Sequence, residues 1–376
     1  MIVLGIDGRL ANEEERSGAG RFCRELLYAL GFLTDCGVRL RIYLDRPPVP
    51  GFDPRRATLI TLPAGRFWTH RLLARELRQS PPDVFFSPVA QLPVLCPCPA
   101  IVTVLDLAAR THPESFPAKK RIAMRVQADH AIRRASRLLA ISEATARDVE
   151  DTYRLPRDRV TVAYPGCAEE FFEAKPHPSG SGTILDSLPE RYVLHLGQVQ
   201  PRKNLERLMA AYARVCRRHP GMPHDLVIAG GQGWRNEEIY RAARTSPVAH
   251  RIHYFDFLPD YLIPPLVAGA DVLALVSLSE GFGLPALEAM AAGTAVLASN
   301  SSSLPEVVGD AGVLVDPLDT EAIADGLERL LYDAAQRMIC EELGRARARR
   351  FTWEKTAQIV ADAALQLAGP RTGDPG

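Results

Sequence analysis

The sequence predicts an α/β chain of two doubly wound domains, and three observations carry that prediction. Short apolar runs alternate with amphipathic helical stretches along almost the whole chain, the pattern of βαβ units that build buried parallel sheets. The 376 residues exceed the ~250–300 at which a single hydrophobic core stops growing. The stretch EAKPHPSGSGTILDSLP, residues 173–189, is rich in Pro, Gly and Ser, has no periodicity and reads as a linker between two sets of apolar runs.

In chain order, the first domain, residues 1–172, offers MIVLGI, VRLRIYL, DVFFS, AIVTVL, RLLAI and VTVAY as strands. The second, residues 190–350, offers YVLHLG, HDLVIAG, RIHYF, DVLALV, AVLAS and GVLVD. These runs are short and rich in Val, Ile and Leu, as strands buried on both faces are. A last helix over 351–368, with Thr352 as its N-cap, is expected to pack back on the first domain, and GPRTGDPG is expected to fray. Two doubly wound domains facing one another collect ligands at the carboxyl ends of their strands and in the cleft between them.

Composition narrows the function. The 45 basic and 45 acidic residues cancel, which argues against binding nucleic acid through bulk charge. No apolar run approaches the ~20 residues that cross a bilayer, and MIVLGIDGRL lacks the basic start and long apolar core of a signal peptide. A cytoplasmic location is expected. The seven cysteines run from Cys23 to Cys340, and the close pair Cys96 and Cys98 has no second pair or His cluster beside it. They read as reduced packing residues, with no metal site.

Chemistry concentrates in SLSEGFGLPALEAM, residues 277–290. Gly281 and Gly283 permit a tight turn after a strand, and Pro285 suits the first turn of a helix. The turn aims backbone N–H groups at a positive helix end, which suits an anion. Glu280 precedes that helix and Glu288 falls a turn inside it, so they address separate parts of an extended ligand instead of sharing a proton. A carboxylate accepts from adjacent sugar hydroxyls, and bare amides suit phosphate. Sugar, diphosphate and ribose in sequence satisfy all three features. In YVLHLGQVQPRKNLERLM, Arg202 and Lys203 stand between a strand end and a helix. There they can neutralise a diphosphate or be two solvated charges. Ser17-Gly18-Ala19-Gly20 forms either a phosphate-approach loop or an ordinary helix entry.

Together these residues resemble the family 4 retaining glycosyltransferases, whose GT-B fold has two Rossmann-like doubly wound domains facing across a cleft. The resemblance covers nearly the whole chain. It extends through VTVLDLAARTHPESF, RLLAISEATARDV, RDRVTVAYPGC, HLGQVQPRKNL, RIHYFDFLP, EGFGLPALEAMAAGTAVLAS and GVLVDPLDTEAI, and Glu280 to Glu288 matches the family's E-x7-E motif. It implies that Glu280 holds hydroxyls of the donor sugar and Glu288 the nucleotide ribose. The amides of Phe282, Gly283 and Leu284, with Arg202 and Lys203, would bind the diphosphate. Gly18 would let the first domain's backbone approach it, Leu258 would pack near the base, and Asp106 would contact the sugar.

One position departs from the pattern. Many relatives carry a histidine directly before that aspartate, and this chain has Leu105, which donates no hydrogen bond. Another donor group substitutes, the donor differs, or activity is weakened.

The resemblance further implies a metal-independent transfer of a hexose from a nucleotide diphosphate sugar, which is substrate and not cofactor, to the hydroxyl of a glycan or lipid-linked saccharide. In the family's usual proposal the acceptor attacks the donor's own face and the leaving phosphate takes its proton, so no enzymatic nucleophile is needed. PRKN with SEGFGLP looks like the mannosyl branch, which favours GDP-mannose over UDP- and dTDP-sugars. The alternatives are a catalytically silent nucleotide-sugar-binding scaffold, a glycosidase using both glutamates, and an epimerase of the same fold. His112 reads as a loop residue and His195 as a core residue. AKKRIAMRVQADHAIRRASR, residues 118–137, has seven basic residues against Asp129, and as a helix it fits either a solvated face or an anionic membrane surface.

Overall fold

The computed structural model describes residues 1–14, 17–34, 36–178 and 180–369; most of the tail read as frayed, 370–376, lies outside the described residues. The chain divides into two compact units. The first comprises Met1–Leu107, Lys119–Gly166 and Thr352–Gly376, and the second Ala108–Ala118 and Cys167–Phe351.

The first unit holds the strands β1 (Ile2–Asp7), β2 (Val38–Leu44), β3 (Ala57–Thr61), β4 (Val84–Ser87), β5 (Ala100–Val104), β6 (Arg137–Ala140) and β7 (Val160–Val162). They form one sheet in the order β3-β2-β1-β4-β5-β6-β7. Every pairing is parallel, with Leu4 opposite Leu40 on one side and Val84 on the other. Phe85, Val102 and Leu138 on adjacent strands are fully buried, so helices cover both faces of the inner strands. The strand β3 was not expected. It is an edge strand with no fully buried residue, so it lacks the apolar run that marks its neighbours.

The last helix, Trp353–Ala368, belongs to this unit and packs on the helix Gly18–Phe32. Thr352 caps it by accepting from the Lys355 amide at 3.3 Å. Its first turn is tied down by the Thr356 hydroxyl on the Tyr164 carbonyl (2.5 Å) and by Trp353 lying 5.6 Å from Phe22. A Cβ on Gly166 would fall 2.1 Å from the Trp353 nitrogen, so that crossing requires glycine.

The second unit holds β8 (Tyr192–Leu196), β9 (Asp225–Ala229), β10 (Ile252–Phe255), β11 (Val272–Leu275), β12 (Ala295–Ser299) and β13 (Val313–Val315), ordered β10-β9-β8-β11-β12-β13 and parallel throughout. The order reverses between β8 and β11, and in such sheets ligands bind beyond the carboxyl ends at that reversal.

Two boundaries move from their sequence-based places. The stretch 173–189 folds with the second unit and is no free linker: Asp186 gathers the amides of Gly180, Ser181 and Gly182 at 3.0, 3.2 and 2.7 Å, and His177 at 3.1 Å. Residues 108–118, assigned by sequence to the first domain, cluster with the second unit, where Phe116 lies 5.5 Å from Trp234 and Arg235 donates to the Glu114 carbonyl. Among the described residues no helix is long and apolar enough to cross a membrane.

Candidate functional site

The chain leaves β8 through Gly197, whose φ of +147° suits glycine, and turns through Pro201–Lys203. Asn204 ends that turn in the left-handed region at φ +60°, a conformation Asn tolerates. Its side-chain amide donates to the carbonyls of Val276 (2.9 Å) and Pro317 (2.7 Å), and the Leu278 amide donates to the Arg202 carbonyl (2.9 Å). The segment that carries Arg202 and Lys203 is thereby bolted to the loop after β11.

There the two cations meet Glu280. Lys203 Nζ donates to Oε1 at 2.6 Å and Arg202 Nη1 to Oε2 at 3.2 Å, with the Ser277 hydroxyl also on Oε1 at 2.6 Å. Arg202 Nη1 donates to the Ser279 carbonyl as well. The Glu280 backbone is held at both ends, its amide donating to Ser302 Oγ (2.8 Å) and its carbonyl accepting from Ser303 (2.9 Å). Burial pushes the Glu280 carboxyl up, but Lys203 and then Arg202 outweigh it and bring the pKa down to about 2. A buried ion cluster is poor value for stability alone; its use is a fixed, ionised constellation.

The partners of Glu280 set what it can offer a ligand. With Lys203 and Ser277 on one oxygen and Arg202 on the other, about one of its four lone-pair positions stays open. In this arrangement the open position can accept one hydroxyl.

Beyond Glu280, Gly283 caps the helix Leu284–Ala292 at φ +97°. The cap and first-turn amides of Gly283 and Leu284 have no partner within the helix, and Pro285 brings none. Phe282, buried, anchors the turn edge-on against Phe351 at 5.6 Å. A Cβ on Gly283 would lie 2.5 Å from Leu304 Cδ2 in a backbone region closed to alanine. Gly283→Ala is therefore expected to cost about 1–3 kcal/mol and to weaken anion binding, read by urea unfolding and by nucleotide titration.

Glu288 lies one turn into the helix and is buried at 4% exposure. Leu258 is also buried, in the loop after β10. The loops after β10 and β11 stand three strand spacings apart, about 14 Å, the reach of an extended ligand. Structure thus brings Arg202, Lys203 and Glu280 into contact, while Glu288 sits inside the helix after β11 and Leu258 in the loop after β10.

His195, read as a core residue, is fully buried on β8. Nδ1 donates to the Ala274 carbonyl at 3.1 Å, which makes Nε2 the acceptor, and Nε2 has no partner. Nε2 and Lys203 Nζ lie 3.7 and 3.4 Å from one point, the place a Gly197 Cβ would take. Burial first and Lys203 second lower its pKa to about 4. His195 is therefore a neutral base set beneath the cation. Neither His195 nor the brackets Ser277, Ser302, Ser303 and Asn204 were singled out by sequence as site residues, although SLSEG, SSSLP and PRKN contain all four brackets.

In the first unit, Gly18 opens the helix Gly18–Phe32, where Ser17 caps by accepting from the Gly20 amide (3.3 Å). A Cβ on Gly18 would meet nothing within 4 Å, so the fold of this unit places no steric demand for glycine there. Asp106 lies in the short connection between β5 and the helix Ala108–Thr111, and the Leu105 carbonyl accepts from Thr145 Oγ1 at 3.4 Å. In the 108–118 segment of the second unit, His112 pairs with Glu114 at 3.4 Å.

Known proteins match both halves of this arrangement. The profile of Glycosyl transferases group 1 matches residues 185–347, and that of Glycosyltransferase Family 4 matches residues 17–171. O-antigen chain mannosyltransferase B of Escherichia coli is 31% identical over 265 residues, 69% of each chain. The chain belongs to the family 4 glycosyltransferases. Serotype-specific mannosyltransferase WbdA of Escherichia coli is 32% identical over 242 residues, 62% of this chain and 29% of that one. Among solved structures, Anabaena HepE in complex with UDP and glucose superposes with a TM-score of 0.74 at 20% identity, covering 96% of this chain and 99% of its own. That likeness speaks for the fold, which is GT-B. This family 4 glycosyltransferase therefore carries its buried cation–carboxylate cluster where the second sheet of that fold reverses.

Proposed function

We propose that this glycosyltransferase moves a hexose from a nucleotide diphosphate sugar to a glycan or lipid-linked hydroxyl, without a metal and with retention of anomeric configuration. The observation that carries the reading is the clamp of Arg202 and Lys203 on Glu280 beside a helix N-terminus. Two cations against one carboxylate leave net positive charge, fixed before any ligand arrives. Preorganised charge of this kind stabilises a leaving diphosphate. Glu280 then orients one sugar hydroxyl and Glu288 takes the ribose. GDP-mannose is the favoured donor, since the relatives named above are mannosyltransferases.

The experiment is thermal stabilisation by UDP, GDP, dTDP and ADP in metal-free buffer, because a ligand of the folded state raises stability by mass action. GDP should give the largest shift, and Arg202→Gln with Lys203→Met should remove it. No shift with any nucleotide would defeat the reading. Leu105 favours a second one, a catalytically silent binder: donor binding without release of nucleotide diphosphate in the presence of acceptor, with turnover appearing in Leu105→His, would establish it.

A lipid-linked acceptor brings a cytoplasmic enzyme to an anionic membrane face. The helix Ala118–Arg134 supports this. Only Ala131 and Ile132 of it are buried, while Ile122 and Val126 are 59% and 64% exposed among Lys119, Lys120, Arg133 and Arg134. The protein should co-sediment with vesicles containing anionic phospholipid and not with neutral ones. Ile122→Ser with Val126→Ser should lower that binding at least tenfold, since burial of two methylenes at roughly 0.8 kcal/mol each already amounts to that and the pair removes more. Equal binding to both vesicle types would count against membrane docking.

A further inference from the structure

A cavity of ≈ 130 Å³ lies in the first unit, lined by Asp7, Arg9, Glu13, Asp45, Arg46 and Gln91 among others. It opens beyond the carboxyl ends of β1, β2 and β4, where the order of that sheet reverses between β1 and β4, again the ligand position of such sheets. Its walls are built, not incidental. Asp7 closes β1 and takes Arg9 bidentately, at 3.0 Å from Nε and 2.8 Å from Nη2. Arg9 Nη2 also donates to Gln91 Oε1 (3.0 Å), and Gln91 donates in turn to Thr69 Oγ1 (3.1 Å). The guanidinium lies over the ring of Trp68 at 4.5 Å.

Two further features fix this wall. Asn12, fully buried, accepts from the Val49 amide (2.8 Å) and donates to the Arg46 and Pro47 carbonyls (3.3 and 3.0 Å), which holds the segment carrying Asp45 and Arg46 in place. Thr69–Leu73 is a π-helical turn entered through Phe67 at φ +61°. Such irregular backbone collects at functional sites.

The chemistry selects the occupant. Carboxylate, guanidinium and amide groups at fixed positions suit hydroxyls, which donate and accept at once. Arg9 is committed to Asp7 at 2.8 Å, whereas the more exposed Arg46 touches Asp45 through Nε at 3.3 Å. The third carboxylate, Glu13, is held above the usual carboxylate range by burial, against Arg46. Three acids against two bases repel a phosphate. The volume is well below the ~300–1,000 Å³ of a drug-sized site, so it admits one ring and not an oligosaccharide.

We propose that this cavity seats one uncharged sugar ring of the acceptor and rejects a phosphorylated one, with Asp7, Arg9 and Gln91 fixing the ring and Glu13 setting the discrimination. The inference rests on the glycosyltransferase reading and adds the chemical class of the acceptor.

The test titrates the full chain, by saturation-transfer NMR, with neutral methyl hexosides of manno, gluco and galacto configuration and with the corresponding 6-phosphates. Nucleotide thermal shifts run beside it. At least one neutral hexoside should bind about tenfold or more tighter than its phosphate, and Gln91→Leu should weaken that binding about tenfold, the loss of one hydrogen bond to a charged network, with the nucleotide shift unchanged. Glu13→Gln, a milder change, should narrow the neutral-over-phosphate ratio. Phosphates binding as tightly as neutral sugars, no panel member binding, or Gln91→Leu leaving sugar binding intact would overturn the proposal. A nucleotide shift without sugar binding would sink this inference alone, and sugar discrimination without a nucleotide shift would sink the donor reading alone.

Discussion

Lys203→Met is expected to lower kcat by about 10²–10³-fold and to destabilise the second unit by about 1–3 kcal/mol. The first figure is what removal of one preorganised group at a developing anion costs. The second follows from Glu280 losing its 2.6 Å ammonium partner inside a site only 7–9% exposed, while Arg202 and Ser277 stay on the carboxylate. The two losses have separable causes, and a double-mutant cycle divides them. Glu280→Gln in the Lys203→Met background removes the half-compensated charge, so urea unfolding should recover part of the stability. Turnover should stay down, because the diphosphate still lacks its cation. Recovery of both together would make the pair a folding device only, and Lys203→Met within about threefold of wild-type kcat would remove it from the mechanism.

That pair also shows how far the sequence could be read. The glycine turn, Pro285 and the spacing of Glu280 and Glu288 are local signals, and each forces a local geometry, so the turn and the helix start were visible without coordinates. The clamp joins residues 77 positions apart, and Asn204 reaches Pro317 across 113. No periodicity encodes such distances. Asn and Ser in loops read first as turn formers, which hid Asn204, Ser277, Ser302 and Ser303 as brackets of the site. His195 sat in an apolar strand pattern that correctly signalled burial and said nothing of the lone pair it keeps beneath Lys203. The edge strand β3 escaped because exposure on both faces erases the apolar run, and 108–118 escaped because Phe116 and Trp234, which tie it to the second unit, are 118 residues apart in the chain.

Acid should loosen the second unit in two steps. His195 has its pKa depressed from 6.5 to about 4, so between those values the unfolded chain binds a proton that the folded one refuses. Stability from this group is complete above about pH 6.5 and falls as the pH drops towards 4; the loss from pH 7 to 5 is about 2 kcal/mol. Glu280, depressed from 4.5 to about 2, has the same sign in a lower window: its contribution is full above about 4.5 and is lost on the way to 2, up to about 3 kcal/mol. Both groups face Lys203, so the two figures are not independent. Urea midpoints measured every half pH unit should fall from pH 7 to 5, and His195→Asn, which retains a donor for the Ala274 carbonyl, should flatten that limb. Glu280→Gln should flatten the limb below pH 4.5. A wild-type midpoint unchanged between pH 7 and 5 would mean that Nε2 accepts a proton at little cost. In that case a second positive charge would stand beside Lys203, and the neutral floor that keeps the ammonium as the diphosphate's cation would not exist.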